Sequence, residues 1–360
     1  MGLLHRLFIF PIIGMQDSEK AHSRTLRMLR IICAIPLGKF LLSLIYRPKS
    51  NPVQLFGSTL NNPVGLAAGM DKGGVALTAW DSIGFGFIEI GGITKVAQAG
   101  NPKPRMFRDN RGKFLINRMG FNNPGSEEMS RHLSVIKAKN RMPRSPLWIN
   151  VGKSKSTPNS EAADDYRTTI SRLYEFADAF VINISSPNTP GLRELQVGED
   201  VSRIISSCKQ IGDGNLPMLL KLSPDLDQGS LQSVVKAALD SGIDGFVATN
   251  TTLERPVESK ISSQEGGLSG TPLNRVSTEM IAEIWKLTEG KVPIIGVGGI
   301  MSAEDAWQKI IHGASAVQVY TGLVFNGAGM VKSLNRGIRR RLKQSGFSDL
   351  SEAIGSAVEV

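Results

Sequence analysis

Cysteine is nearly absent from this chain. Cys33 and Cys208 are the only two among 360 residues. They cannot build a disulfide framework, and a reducing compartment fits them. The four histidines, His5, His22, His132 and His312, lie far apart without metal-ligand spacing, so neither a metal centre nor a His-based triad is indicated. No strand-linked GxGxxG or GxxxxGK[ST] loop occurs, which removes the usual signature of an open nucleotide-binding sheet. No run approaches the roughly 18–20 apolar residues that a bilayer-spanning helix needs.

The charge that is present is unevenly placed. Formal net charge is +10. Within the first 50 residues Arg6, Lys20, Arg24, Arg27, Arg30, Lys39, Arg47 and Lys49 oppose only Asp17 and Glu19, giving +6 there and +4 in the other 310. A nucleic-acid partner would call for a basic face on the main body; charge gathered at one end points instead to an anionic surface. That end is also greasy. Residues 3–13 are apolar apart from His5 and Arg6, but Pro11 breaks the run and no small-residue cleavage site follows, which argues against a signal peptide. Residues 26–34 read as a helix with Leu26, Leu29, Ile32 and Cys33 on one side; Pro36 interrupts, and residues 40–46 resume. Basic residues beside an apolar stripe fit a helix pair lying in a membrane interface. The expected organisation is an amphipathic helical extension over residues 1–50, a catalytic body over 51–345 and a tail over 346–360. The basic stretch 336–343 reads as the solvated face of a last helix.

Eight short apolar, β-branched runs recur at residues 64–67, 87–90, 147–151, 180–184, 218–222, 245–249, 293–297 and 316–320, with helical patterns such as 231–240 and 303–312 between most of them. Strands alternating with helices give βαβ units and a parallel sheet. Eight units over roughly 270 residues match a closed (β/α)8 barrel, the TIM-barrel fold, whose chemistry sits at the C-terminal ends of its strands.

Those ends are not generic. In order they carry Ala68, Gly69, Asp71 and Lys72; Gly91, Gly92 and Thr94; Asn150; Asn183; Lys221; Thr249, Asn250 and Thr251; Gly298 and Gly299; and Tyr320 and Thr321. Glycine turns at the last two ends let backbone N–H groups approach an anion, with a helix N-terminus behind them. They predict a phosphate-bearing ligand. Two further segments concentrate amides beside Gly and Pro: Asn117-Arg118-Met119-Gly120-Phe121 and Asn183-Ile184-Ser185-Ser186-Pro187-Asn188-Thr189-Pro190-Gly191-Leu192. Each asparagine offers a donor and an acceptor, so together they can hold a small planar ring of alternating amides and carbonyls. Residues 105–108 and 113–117 flank Asp109-Asn110-Arg111-Gly112, a turn composition, and predict a hairpin that delivers residues 117–121 over the barrel mouth. Residues 190–198 read as a mobile loop, a candidate lid.

Together these motifs resemble class 2 dihydroorotate dehydrogenase, the quinone-linked flavoenzyme of pyrimidine synthesis. The resemblance runs from Ala21-His22 to Gly346-Phe347 and includes Gly65-Leu66-Ala67-Ala68-Gly69, Asp71-Lys72, Gly100-Asn101-Pro102, Lys221-Leu222-Ser223-Pro224-Asp225 and the two asparagine segments. Met70 and Gly74 are mild departures that remove no ligand. The resemblance implies FMN contacts at Ala68, Lys72, Thr94, Asn150, Asn183, Lys221, Thr249, Gly270, Gly299, Tyr320 and Thr321. It implies substrate contacts, for dihydroorotate and orotate, at Lys72, Asn117, Arg118, Met119, Gly120, Phe121, Asn183, Asn188, Asn250 and Thr251. Ser186 stands at the position of the catalytic base, with Thr189 and Phe121 beside its proton path. His22, Arg108 and Tyr320 resemble residues lining a quinone tunnel. The implied enzyme acts as a monomer, with FMN as its cofactor and a membrane quinone as oxidant. It touches an anionic membrane peripherally, binds no nucleic acid and needs no metal. Residues 1–25 include Asp17 and Glu19 and are not Ser-rich, which argues against an organelle-targeting leader and for the cytoplasmic face of a bacterial cell membrane. Two rival readings use the same residues: a Schiff-base aldolase with Lys221 as nucleophile, and a non-enzymatic, membrane-associated binding module.

Overall fold

A computed structural model of the chain describes residues 14–212 and 214–359. The apolar run at residues 3–13 lies outside them. Two helices come first, α1 (Ser18–Ile32) and α2 (Pro36–Tyr46). Asp17 caps α1, its side chain accepting from Lys20 N at 2.9 Å. Pro36 does not merely interrupt, as the sequence reading had it; it is the first residue of α2, where its missing N–H costs nothing.

A short antiparallel pair, β1 (Val53–Leu55) and β2 (Ser58–Leu60), precedes the barrel. Its Leu55 and Leu60 close the lower end of the barrel interior, in one buried cluster with Phe87, Trp148, Val181, Leu219 and Val247. The barrel strands are β3 (Val64–Leu66), β4 (Ile88–Ile93), β7 (Leu147–Val151), β8 (Ala179–Asn183), β9 (Met218–Leu222), β10 (Gly245–Ala248), β12 (Ile294–Val297) and β13 (Ala314–Val319). They form a closed parallel barrel of eight strands. All eight expected runs coincide with these strands to within a few residues. β-Branched side chains favour a pleated surface covered on both faces.

The expected hairpin is β5 (Met106–Asp109) with β6 (Phe114–Asn117). The sequence reading missed its third strand, β11 (Gly267–Gly270), which pairs antiparallel with β6. This small sheet stands over the barrel mouth. The loop at 190–198 differs from the expected lid in being folded down. Leu192 and Leu195 are buried, and Arg193 donates to Asp225 at 2.6 Å and to the carbonyls of Ser185 (3.0 Å) and Thr251 (2.8 Å). Beyond residue 346 the chain also packs on the barrel. Gly355 and Ala357 N–H groups donate to the Ile310 and Ile311 carbonyls at 3.1 and 2.9 Å.

Among the described residues no single helix is long and apolar enough to cross a membrane; α1 and α2 meet at 113°. Of 13 exposed large hydrophobic residues among the described ones, nine lie on or beside these two helices: Met15, Met28, Ile31, Ile35, Leu37, Phe40, Leu41, Leu44 and Ile45. The helix pair is anchored inward by Glu19, whose carboxylate takes two close hydrogen bonds from Arg105, at 2.7 and 3.1 Å.

Candidate active site

The C-terminal ends of the barrel strands and the small sheet enclose a polar cavity. Its wall contains Ser186, Ala68, Lys72, Asn183, Lys221, Thr249, Gly270, Gly299, Tyr320 and Thr321, together with Asn117, Met119, Gly120, Phe121, Asn188, Asn250 and Thr251. The structure therefore gathers residues as far apart in the chain as Ala68 and Thr321.

Three predicted residues stand elsewhere. Arg118 is on the outside of the wall, its guanidinium bonded to Gln264 (3.2 Å) and to the Pro104 carbonyl (2.9 Å) and lying over the Phe107 ring. Thr94 and Asn150 sit one layer behind the cavity. Thr94 Oγ1 donates to the Val96 carbonyl at 2.7 Å and accepts from Asn123 at 2.8 Å. Asn150 is fully buried and supports Asn183, whose Nδ2 donates to Asn150 Oδ1 at 3.0 Å.

The two asparagine segments are sewn together by a residue that had no assigned role. Asn101 Nδ2 donates to the carbonyls of Arg118 (3.0 Å) and Asn188 (3.1 Å). Gly120, with φ of 67°, lets Asn101 approach; a Cβ there would stand 2.8 Å from its side chain. Asn188 and Asn117 meet at 3.4 Å. Ser186 Oγ accepts from Asn188 N at 3.3 Å. Its hydroxyl is buried against the cavity, and Thr189, also buried, follows it.

Two ammonium groups give the cavity its electrostatics. Burial lowers Lys72 to about 7, with Arg105 pushing the same way and Glu19 opposing. What exposure Lys72 keeps is to the cavity, and its Nζ donates to Asn122. Burial also lowers Lys221, against the pull of Glu89. Among the described residues nothing hydrogen-bonds the Lys221 ammonium.

The far end of the cavity fits a phosphate. Gly298 and Gly299 have φ of 128° and 68°, and a Cβ on Gly299 would stand 2.4 Å from the Asn274 backbone. The turn is bare backbone, capped by the next helix at Ser302. On the cavity floor Gln318 Oε1 is buried with no partner among the described residues. A cradle of glycines, an unpaired ammonium and an orphan acceptor together suit a bound group with a phosphate and a polar ring, as a flavin nucleotide has.

A second cavity, about 640 Å³ and mostly apolar, lies between α1, α2 and the barrel. His22, Arg108 and Tyr320 all line it, among Leu29, Leu42, Ile45, Met106 and Leu323. Arg108 donates to the Gly14 carbonyl at 2.7 Å. Burial holds His22 down at about 4, so it is neutral at ordinary pH, and burial raises the Tyr320 hydroxyl to about 12. Tyr320 belongs to both cavities and forms part of the wall between them.

The dihydroorotate dehydrogenase family model matches residues 51–342. The chain belongs to the dihydroorotate dehydrogenase family. A relative from Gloeobacter violaceus named dihydroorotate dehydrogenase (quinone) is 43% identical over 348 residues, covering 96% of this chain and 97% of its own. One of the same name from Natronomonas pharaonis is 43% identical and spans 99% of both chains. A crystal structure of DHODH from Eimeria tenella in complex with ferulenol superposes with a TM-score of 0.84 at 35% identity, covering 95% of this chain and 96% of that one. Nothing in these comparisons supports the aldolase or the binding-module reading.

Besides Asn101, sequence reasoning missed site residues that the barrel interior hides. Glu89 is the clearest: a carboxylate inside the apolar run Phe87-Ile88-Glu89-Ile90, fully buried in the structure. A lone acid in a buried strand is itself a signal.

Proposed function

We propose that this protein is a quinone-dependent dihydroorotate dehydrogenase of pyrimidine synthesis. It oxidises (S)-dihydroorotate to orotate in the polar cavity, with FMN as cofactor, and a membrane quinone entering the apolar cavity is the final oxidant. The observation that carries this reading is the pair of cavities, one lined with amides and ammonium groups and one apolar, that share Tyr320.

FMN, when bound, supplies a hydride acceptor that can pass its electrons on to a quinone. The glycine turn at Gly298-Gly299 would hold its phosphate, and Lys221 would set a buried positive charge beside its ring. The substrate must lose a proton from C5 and a hydride from C6. Lys72, on the cavity wall, would hold the substrate carboxylate. Asn117 and Asn188 offer donors and acceptors to the ureide edge, and Asn250, whose NH2 is taken by Asn183 and Ser185, offers its carbonyl oxygen. Ser186 takes the C5 proton. A free serine is a weak base, so the buried, desolvated setting and Thr189 beside it must carry the proton onward. The folded-down segment around Arg193 keeps water out. Residues 1–50 serve the oxidant: the exposed apolar face of α1 and α2 rests on the membrane, with Arg24, Arg27 and Arg30 toward anionic headgroups. We place the enzyme, as a monomer, peripherally on the cytoplasmic face of a bacterial cell membrane.

The test is a visible spectrum of the purified protein under anaerobic conditions. A flavin band should bleach on adding dihydroorotate and return on adding a quinone. A colourless protein, or a flavin that dihydroorotate leaves oxidised, overturns the reading.

A further inference from the structure

The amide network in the barrel floor has a fixed direction, and Glu89 supplies it. Asn150 Nδ2 donates to Glu89 Oε1 at 2.7 Å, and Gln318 Nε2 donates to Glu89 Oε2. A carboxylate only accepts. Each neighbour must therefore turn its NH2 toward Glu89 and its carbonyl oxygen away. For Asn150 that oxygen receives Asn183 Nδ2 at 3.0 Å. Asn183 Oδ1 in turn receives Asn250 Nδ2 at 3.2 Å, and Asn250 Oδ1 receives the Thr251 N–H at 2.8 Å. The far end of this chain is pinned independently, because a backbone N–H only donates. For Gln318 nothing pins the other end. Its Oε1 is left buried at the cavity floor without a partner among the described residues. An unpaired buried acceptor is costly, so whatever fills the cavity must bring it a donor.

We propose that Glu89 is a positioning residue that sets the polarity of the cofactor pocket, and that Gln318 Oε1 is the acceptor for a donor group of the bound flavin. The inference rests on the flavin reading of the site. An oxidised flavin nucleotide carries two kinds of donor, its single ring N–H and its ribityl hydroxyls. Replacing Glu89 by glutamine keeps size and removes the acceptor-only constraint, so Gln318 can turn its NH2 to the cavity. The Asn183–Asn250 end stays pinned by Thr251, so the effect falls on the flavin more than on dihydroorotate.

The experiment is a competition. Full-length wild type, Glu89→Gln and Gln318→Met are each equilibrated with equimolar FMN and one of two analogues. One is 3-methyl-FMN, which lacks the ring N–H; the other has a plain alkyl chain in place of the ribityl hydroxyls. The bound ratio is read after desalting. Wild type should prefer FMN over at least one analogue by about tenfold or more, as expected when a buried acceptor loses its donor. Both variants should bring that preference to within about threefold of unity. The analogue concerned identifies the donor. A ratio does not respond to general destabilisation, and Gln318→Met carries the test if Glu89→Gln does not fold. The proposal is overturned if wild type discriminates against neither analogue, or if a folded variant keeps the wild-type ratio. Protein that binds no flavin at all would instead refute the flavin reading.

Discussion

Lys72 makes the proposed substrate site sensitive to pH in a direction that can be worked out. Burial holds its ammonium near 7. A Lys whose folded value is lowered is charged only below that value. An anionic ligand needs the charged form, so binding should be tight below pH 7 and should weaken above it. The slope is about tenfold per pH unit, since one pKa unit corresponds to about 1.4 kcal/mol. Between pH 6 and pH 9 the dissociation constant of orotate should rise by roughly a hundredfold, until the bound-state value is passed. Lys72→Met removes the titrating group and one charge-assisted hydrogen bond, worth about 1.5–3 kcal/mol. At pH 6 the variant should bind orotate roughly 10- to 150-fold more weakly, and its binding should stay flat to pH 9. The assay is orotate titration followed through the flavin absorbance of the loaded enzyme. The reasoning is refuted if wild-type binding is flat over this range, or if Lys72→Met keeps the wild-type slope.

Ser186→Ala should leave substrate binding in place but slow anaerobic flavin reduction by about 100- to 10,000-fold, the usual range for losing a general base; Ser186→Cys should retain part of the rate, and a near-normal rate in the alanine variant would show that the base lies elsewhere. Lys221→Ala should purify with little flavin or show a much slower reduction, and full occupancy with a normal rate would remove it from the cofactor site. Phe40→Glu with Leu44→Glu changes two side chains that are 62% and 65% exposed, so folding and flavin reduction by dihydroorotate should persist. Binding to anionic liposomes should fall sharply, and unchanged liposome binding would place the membrane contact on another face. Arg108→Ala should slow reoxidation by quinone more than reduction by dihydroorotate, and the opposite order in stopped-flow traces would detach the apolar cavity from the oxidant.

Much of the barrel could be read from the chain because its strands are apolar and β-branched, and because polar residues follow them at regular intervals. β11 could not. Gly267-Leu268-Ser269-Gly270 has two glycines and no alternation, and its extended form comes from pairing with β6. Of the expected cofactor contacts, Thr94 and Asn150 were recognisable as strand-end residues, yet sequence position does not say whether such a side chain meets the cavity or braces its neighbour. Arg118 shows the same limit on a finer scale. Asn117 and Met119 line the cavity while the residue between them points away, held outside by Gln264 and the Pro104 carbonyl. Glu89 and Asn101 went unassigned because their work depends on partners 61 and 87 positions distant.

The sharing of Tyr320 by two cavities, one lined with amides and ammonium groups and one mostly apolar, links the local geometry to the proposed division of labour along the chain. α1 and α2 contribute nothing to the polar cavity, whose wall begins at Ala67. They form much of the apolar one. Their outward face stays apolar and exposed, while Arg105 clamps Glu19 and fixes α1 to the loop that leads into β5. A soluble oxidant would need no such appendage, since the barrel and the small sheet close the polar site without it. On the proposed reading, a lipid-borne oxidant needs an apolar passage that opens beside the bilayer and ends near the flavin, and the helix pair seated at Tyr320 would supply both.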